Sequence, residues 1–144
     1  MPSKDFERTL HFHQFQDLNG KTILLPLVEV TLITSTNSRI FLSLLFDTGA
    51  SVTTLRADLY PMLGLQSWDQ GQKVDVATAS GQAAAYQYTA TLEIFGKLIQ
   101  CPIHLLQMPP NPLFNGLLGR DTVFNEFGFG FWESTSELLV TPTP

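Results

Sequence analysis

The chain has 144 residues, 44% hydrophobic and 15% charged, which is enough apolar surface for one core and too little charge for a disordered chain. Eight Lys and Arg against 13 Asp and Glu leave a formal charge of -5 with no basic run, and this argues against nucleic acid and anionic membrane as partners. The single cysteine, Cys101, excludes an internal disulfide framework and a Cys-rich zinc site, and reads as a small buried apolar residue.

Lys4, Asp5, Glu7 and Arg8 interrupt the amino terminus where an export signal needs an apolar run. No later stretch approaches the roughly 18 consecutive apolar residues of a membrane span, so a soluble, cytoplasmic protein without a membrane partner is the expectation. Residues 1–21 read as an N-terminal extension, either an added strand or a loose arm, which ends in the turn-favouring pair Asn19-Gly20. Residues 22–140 read as one domain, and residues 141–144, Thr-Pro-Thr-Pro, as a linker-like tail.

Within the domain, Thr22–Thr34 and Ile40–Phe46 are dense in Leu, Val and Ile and are separated by a small polar run, the pattern of two strands joined by a loop. Leu55–Tyr60, stopped by Pro61 and Gly64, is one of two short helix candidates; the other is Asp121–Asn125, with Asp121 as its N-cap. Tyr86, Tyr88, Ala90, Leu92 and Ile94 alternate with polar residues and predict a strand with one buried face. After a turn at Gly96-Lys97, Ile99, Cys101, Ile103 and Leu105 share one face of a second strand, which Pro102 confines to a sheet edge or a bulge. Met108–Pro112 is a stiff loop. The fold class is all-β.

Two segments are candidates for chemistry. Ile40–Phe46 runs into Asp47-Thr48-Gly49-Ala50-Ser51, which puts a carboxylate where an apolar strand stops and a tight turn begins. A carboxylate there is costly to desolvate unless it is hydrogen-bonded, paired or functional, and a plain Asx turn closing the strand is the competing reading. Downstream, Gly116-Leu117-Leu118-Gly119-Arg120-Asp121 sets an apolar pair between glycines, a pattern also common where a buried strand passes close to another backbone.

In this order the two segments resemble the retropepsin-like aspartic proteases, whose subunits carry an apolar strand into Asp-Thr/Ser-Gly-Ala and a later apolar-apolar-Gly-Arg-Asp/Asn. The likeness spans about Thr22 to Val140 and implies a closed β-barrel or sandwich subunit with a flap hairpin and one short helix, active as a two-fold dimer. It implies Asp47 as the catalytic aspartate, Thr48 as the residue whose hydroxyl locks two active-site loops together, Gly49 as a backbone contact to substrate, and Ala50 as part of the loop. Thr78, Ala79, Ser80 and Gly81 fall at the flap tip, although an ordinary surface hairpin has the same composition. Leu118, Gly119, Arg120 and Asp121 fall at the brace behind the loop, with Arg120 structural. Where retroviral enzymes place an acidic residue after Asp-Thr-Gly-Ala this chain has Ser51, so the partner of Arg120 is left to Asp121 or Asp58.

The chemistry the resemblance implies needs two carboxylates sharing one proton, and this chain has one Asp-Thr-Gly, so a homodimer cleaving a peptide or protein substrate is expected. Ala50, which cannot donate a side-chain hydrogen bond as serine could, points to activity at mildly acidic pH. The alternative is a catalytically weak or inactive module of the same fold that dimerises or binds peptides. No cofactor and no metal are expected, since His11, His13 and His104 fall short of a ligand set and no phosphate-binding glycine motif is present. The aromatic run Gly128–Trp132 reads as core packing near the dimer strands.

Overall fold

The computed structural model describes residues 6–144, so residues 1–5 of the expected extension lie outside the described residues. The described residues form twelve strands: β1 (Arg8–His11), β2 (His13–Gln16), β3 (Thr22–Leu25), β4 (Leu27–Ile33), β5 (Arg39–Phe46), β6 (Thr53–Arg56), β7 (Gln72–Thr78), β8 (Gly81–Ile94), β9 (Lys97–Leu106), β10 (Gly116–Leu118), β11 (Phe127–Trp132) and β12 (Glu137–Pro142). A 3-10 helix spans Ala57–Leu63, and one short α-helix, α1, spans Val123–Glu126. No helix among the described residues is long and apolar enough to cross a membrane.

Six strands close on themselves. They run β4-β5-β10-β6-β9-β8, and β8 returns to β4 through Thr31↔Glu93, Leu32↔Leu92 and Ile33↔Thr91. The two-residue period of these strands fills the interior: Val28, Val30 and Leu32 of β4, Leu42, Leu44 and Phe46 of β5, Leu92 and Ile94 of β8, and Ile99, Cys101, Ile103 and Leu105 of β9 are all buried. β7 lies outside the ring, paired with β8 alone, as the outer arm of a hairpin. A separate sheet has the order β1-β12-β11, and β2 pairs with β3 across the Asn19-Gly20 turn, where Gly20 has φ +77°.

The alternation read from Tyr86 to Ile94 and from Ile99 to Leu105 is present in β8 and β9, and the irregular segment between β9 and β10 contains Met108–Pro112. Four local expectations change. The Thr22–Thr34 stretch is two strands, because Pro26 lacks an N–H and breaks the ladder between β3 and β4. β9 is central rather than an edge: β8 covers its whole length, and β6 begins only opposite Ile103, so at Pro102 one side of the strand still lacks a partner. Leu55 and Arg56 belong to β6, and the helical turn that follows is 3-10, with Pro61 inside it and Gly64 closing it at φ +75°. Thr122, not Asp121, precedes α1, and it makes no side-chain cap bond.

Both outer segments of the described residues pair with the rest of the structure. Arg8–His11 takes the form of an added strand against Glu137–Val140, and β12 continues to Pro142. Thr143 then donates its N–H to Glu126 O at 3.0 Å and its hydroxyl to Asn125 O at 2.7 Å, satisfying carbonyls at the end of α1. In the aromatic run, Phe129 packs in tilted contacts against Phe46 and Phe124, but Phe131 and Trp132 stay substantially exposed.

Cys101 is 1% exposed, and burial, aided by the negative charge of Asp121, pushes its thiol up to about 11. A raised value keeps the sulfur protonated at physiological pH, and the thiolate is the reactive form. Alkylation by iodoacetamide at pH 8 is expected to be about 100-fold slower in the folded protein than in the urea-unfolded chain, followed by mass spectrometry.

Candidate active site

β5 delivers Asp47 to the end of the barrel. Its N–H donates to Leu118 O at 3.2 Å, and its Oδ1 accepts the Gly49 N–H at 2.9 Å, which closes an Asx turn and leaves Oδ2 open. Ala50 N–H donates back to Asp47 O at 3.2 Å. Asp47 is half-buried, whereas Thr48 and Gly49 are exposed. At Gly49 a Cβ would stand 3.2 Å from Asp47 Oδ1, tight enough to disturb the turn that orients the carboxylate.

The second segment is threaded beside the first. β10 lies parallel to β5, with Leu118↔Phe46, and antiparallel to β6, with Leu117↔Thr54. Both glycines that bound the segment sit against backbone: a Cβ on Gly116 would overlap Thr54 O, and one on Gly119 would overlap the Val52-Thr53 peptide. Leu118 between them is fully buried. Three bonds then tie the segment to the residues after Asp47. Arg120 N–H donates to Ala50 O at 2.9 Å, Asp121 N–H donates to Ser51 O at 2.8 Å, and Gly119 N–H donates to Thr53 Oγ1 at 3.0 Å. The structure therefore brings Asp47–Ala50 and Leu118–Asp121 into one assembly held mostly by main-chain bonds.

A family model described as aspartyl protease matches residues 30–122, more than half of the chain and both segments. The chain belongs to the aspartyl protease family. A search of curated proteins finds no match. Among solved structures the chain is similar to the EIAV protease complexed with the inhibitor HBY-793, at 21% identity and a TM-score of 0.49, over 67% of this chain and 82% of that one.

Two polar residues of this aspartyl protease escaped the motif reading. Asn115, immediately before β10, extends the link between β5 and β6: its Oδ1 accepts Ser43 N–H at 2.8 Å, its own N–H donates to Ser43 O at 2.8 Å, and its O accepts Arg56 N–H at 3.1 Å. Thr53 is 1% exposed and offers the acceptor for Gly119. Both stand next to recognisable motifs, but neither belongs to one.

Other expected residues stay apart from Asp47. Thr78–Gly81 form the tip of the β7–β8 hairpin, closed by the Thr78 hydroxyl donating to Gly81 O at 2.7 Å, and no hydrogen bond of the described residues joins that tip to the Asp47 loop. Arg120 is exposed and makes no ion pair among the described residues; Asp58 pairs with Arg56 at 3.0 Å, and Asp121 accepts the Thr122 hydroxyl at 2.9 Å. The three histidines do not converge: His11 lies on β1, His13 on β2 is 3.9 Å from Glu29, and His104 on β9 shares a bond with Gln87 at 3.1 Å.

Replacing Thr53 by valine keeps the shape but leaves the buried Gly119 N–H without an acceptor, at a cost of about 1–3 kcal/mol. Urea unfolding of Thr53→Val is expected to show that loss with an unchanged m-value.

Proposed function

We propose that the protein is a homodimeric aspartic endopeptidase, with one Asp47 from each subunit activating the water that hydrolyses a peptide bond. The observation that carries this reading is the way Asp47 is held: a carboxylate fixed at a strand end by main-chain bonds on both sides, half-buried, with Oδ2 unengaged. A turn needs only one acceptor oxygen, whereas proton transfer needs a second oxygen facing outward.

Two such carboxylates about 3 Å apart cannot both ionise cheaply, so the pair holds one proton between them. The ionised member takes a proton from water as its oxygen attacks the scissile carbonyl carbon, and the protonated member gives its proton to the carbonyl oxygen. The carboxyl that took the proton from water then gives it to the nitrogen, and the other takes back the proton of an intermediate hydroxyl as the carbonyl re-forms and the C–N bond breaks, which releases a carboxylic acid and an amine and leaves one proton on the pair. Thr48, exposed on the single chain, supplies the hydroxyl that locks the two Asp47 loops across the two-fold axis, and Gly49 meets the substrate backbone. Substrate lies extended, hydrogen-bonded like a strand, beneath the β7–β8 hairpins of both subunits, with Thr78–Gly81 nearest to it.

The test is cleavage of an unstructured peptide mixture between about pH 4 and 7, with wild type beside Asp47→Asn and a transition-state inhibitor of aspartic proteases as a third arm. Asp47→Asn is expected to keep the Asx turn and the fold, since the amide oxygen still accepts from Gly49, and to lower kcat/KM by at least about 1,000-fold. Equal cleavage by both proteins would overturn this reading.

A further inference from the structure

The β7–β8 hairpin has an unsupported part and an anchored part, and the boundary between them is sharp. β9 pairs with β8 from Ala85 to Ile94, so Asp75–Ala84 pair only with one another and protrude as a two-stranded ribbon. Isolated two-stranded ribbons are marginal in water, so the direction of this one must be set at its base. The base is the loop over residues 66–71, which delivers the chain to β7.

One side chain gathers that loop onto β8. The Tyr88 hydroxyl donates to Trp68 O at 2.6 Å and accepts the Gly71 N–H at 2.7 Å, so both hydrogen-bonding roles of a single oxygen are used on main-chain groups three residues apart. The Trp68 ring packs edge-on against Tyr86, centroids 4.9 Å apart. A Cβ on Gly71 would overlap Gln87 O and come within 2.8 Å of the Tyr88 ring, so the loop passes against β8 with no space between. The loop is also stiffened internally: Gln70 Oε1 accepts the N–H groups of Gln66 at 2.6 Å and Ser67 at 3.1 Å. Gln72, the first residue of β7, follows Gly71 directly.

We propose that Tyr88 is a positioning residue: with Trp68 and Gly71 it forms a clamp at the root of the hairpin that fixes the angle of the protruding ribbon. The inference rests on the reading of that hairpin as the cover over substrate. A ribbon of five residues per arm turns a small rotation at its root into a large displacement at Ala79 and Ser80, so one hydroxyl at the root governs how often the cover is in place.

Tyr88→Phe keeps the ring and removes the oxygen. In the full chain, amide exchange across Gln72–Gln87 is expected to quicken by about tenfold while the β4 amides Val28–Leu32 are unchanged. Trp68→Leu, which removes the edge contact with Tyr86 and trims packing against the core while leaving both Tyr88 hydroxyl bonds in place, is expected to quicken the same amides by a smaller factor. With a cleaved peptide, Tyr88→Phe is expected to raise KM by about threefold to tenfold with kcat within about twofold. Unchanged hairpin exchange in both variants would overturn the clamp, as would a rise shared equally by β4, which marks general destabilisation. A wild-type protein that cleaves nothing would overturn the protease reading, and the exchange measurement would still decide the clamp.

Discussion

The structure depends on one close approach, the insertion of β10 between β5 and β6 with no side chain on its two bounding residues. Gly116 and Gly119 let main chain lie directly against main chain, and a single methyl at either point would overlap a peptide group. With β10 in place, β5 gains the partner that receives Asp47 N–H, β6 gains its link to β5, and the barrel closes. The same contact that completes the core thus sets the position of the candidate catalytic carboxylate. Packing forces act throughout the interior, but they do not select this threading; the absence of two Cβ atoms permits it, and the hydrogen bonds at Ala50, Ser51 and Thr53 hold it.

This explains which parts could be read in the sequence. A strand with one buried face writes itself as alternation, so β8 and β9 were legible from Tyr86–Ile94 and Ile99–Leu105, and the Asn19-Gly20 turn from its dipeptide. The two chemistry-bearing segments were legible because each needs specific small residues beside a carboxylate or an apolar pair. What failed was local context. Pro102 looked like an edge signal, and it sits in a central strand because its neighbour β6 starts one residue later. Leu55–Tyr60 looked like a helix because burial alone does not distinguish a short strand from a helical turn, and the demand of β10 and β9 for a partner decided the matter for Leu55 and Arg56. Asn115 left no signal, since its role exists only when Ser43 and Arg56 are brought to it from distant parts of the chain.

The chain ends show the same limit. The Thr-Pro-Thr-Pro tail has the composition of a linker, yet Thr141 and Pro142 belong to β12 and Thr143 caps α1. Composition reports what a segment can do alone, whereas β11 and α1 offer this one partners that composition does not encode. Arg8–His11, weakly patterned, is a strand for the same reason: Glu137–Val140 presents an edge to it.

Ser51 stands where the family resemblance places an acidic partner for the arginine, and the structure shows how little that exchange costs. Arg120 is held through its N–H on Ala50 O, and Asp121 through its N–H on Ser51 O, so both tethers use atoms that every residue carries. An exposed ion pair at the same point contributes about 0–1 kcal/mol, whereas an unpaired buried N–H costs about 1–3 kcal/mol. The ties between this segment and the Asp47 loop are therefore main-chain bonds, which do not depend on which side chains stand at Ser51 and Arg120. The residues most constrained are those whose side chains touch the threading itself: Gly116 and Gly119 by having none, and Thr53 by offering the buried hydroxyl that accepts from Gly119.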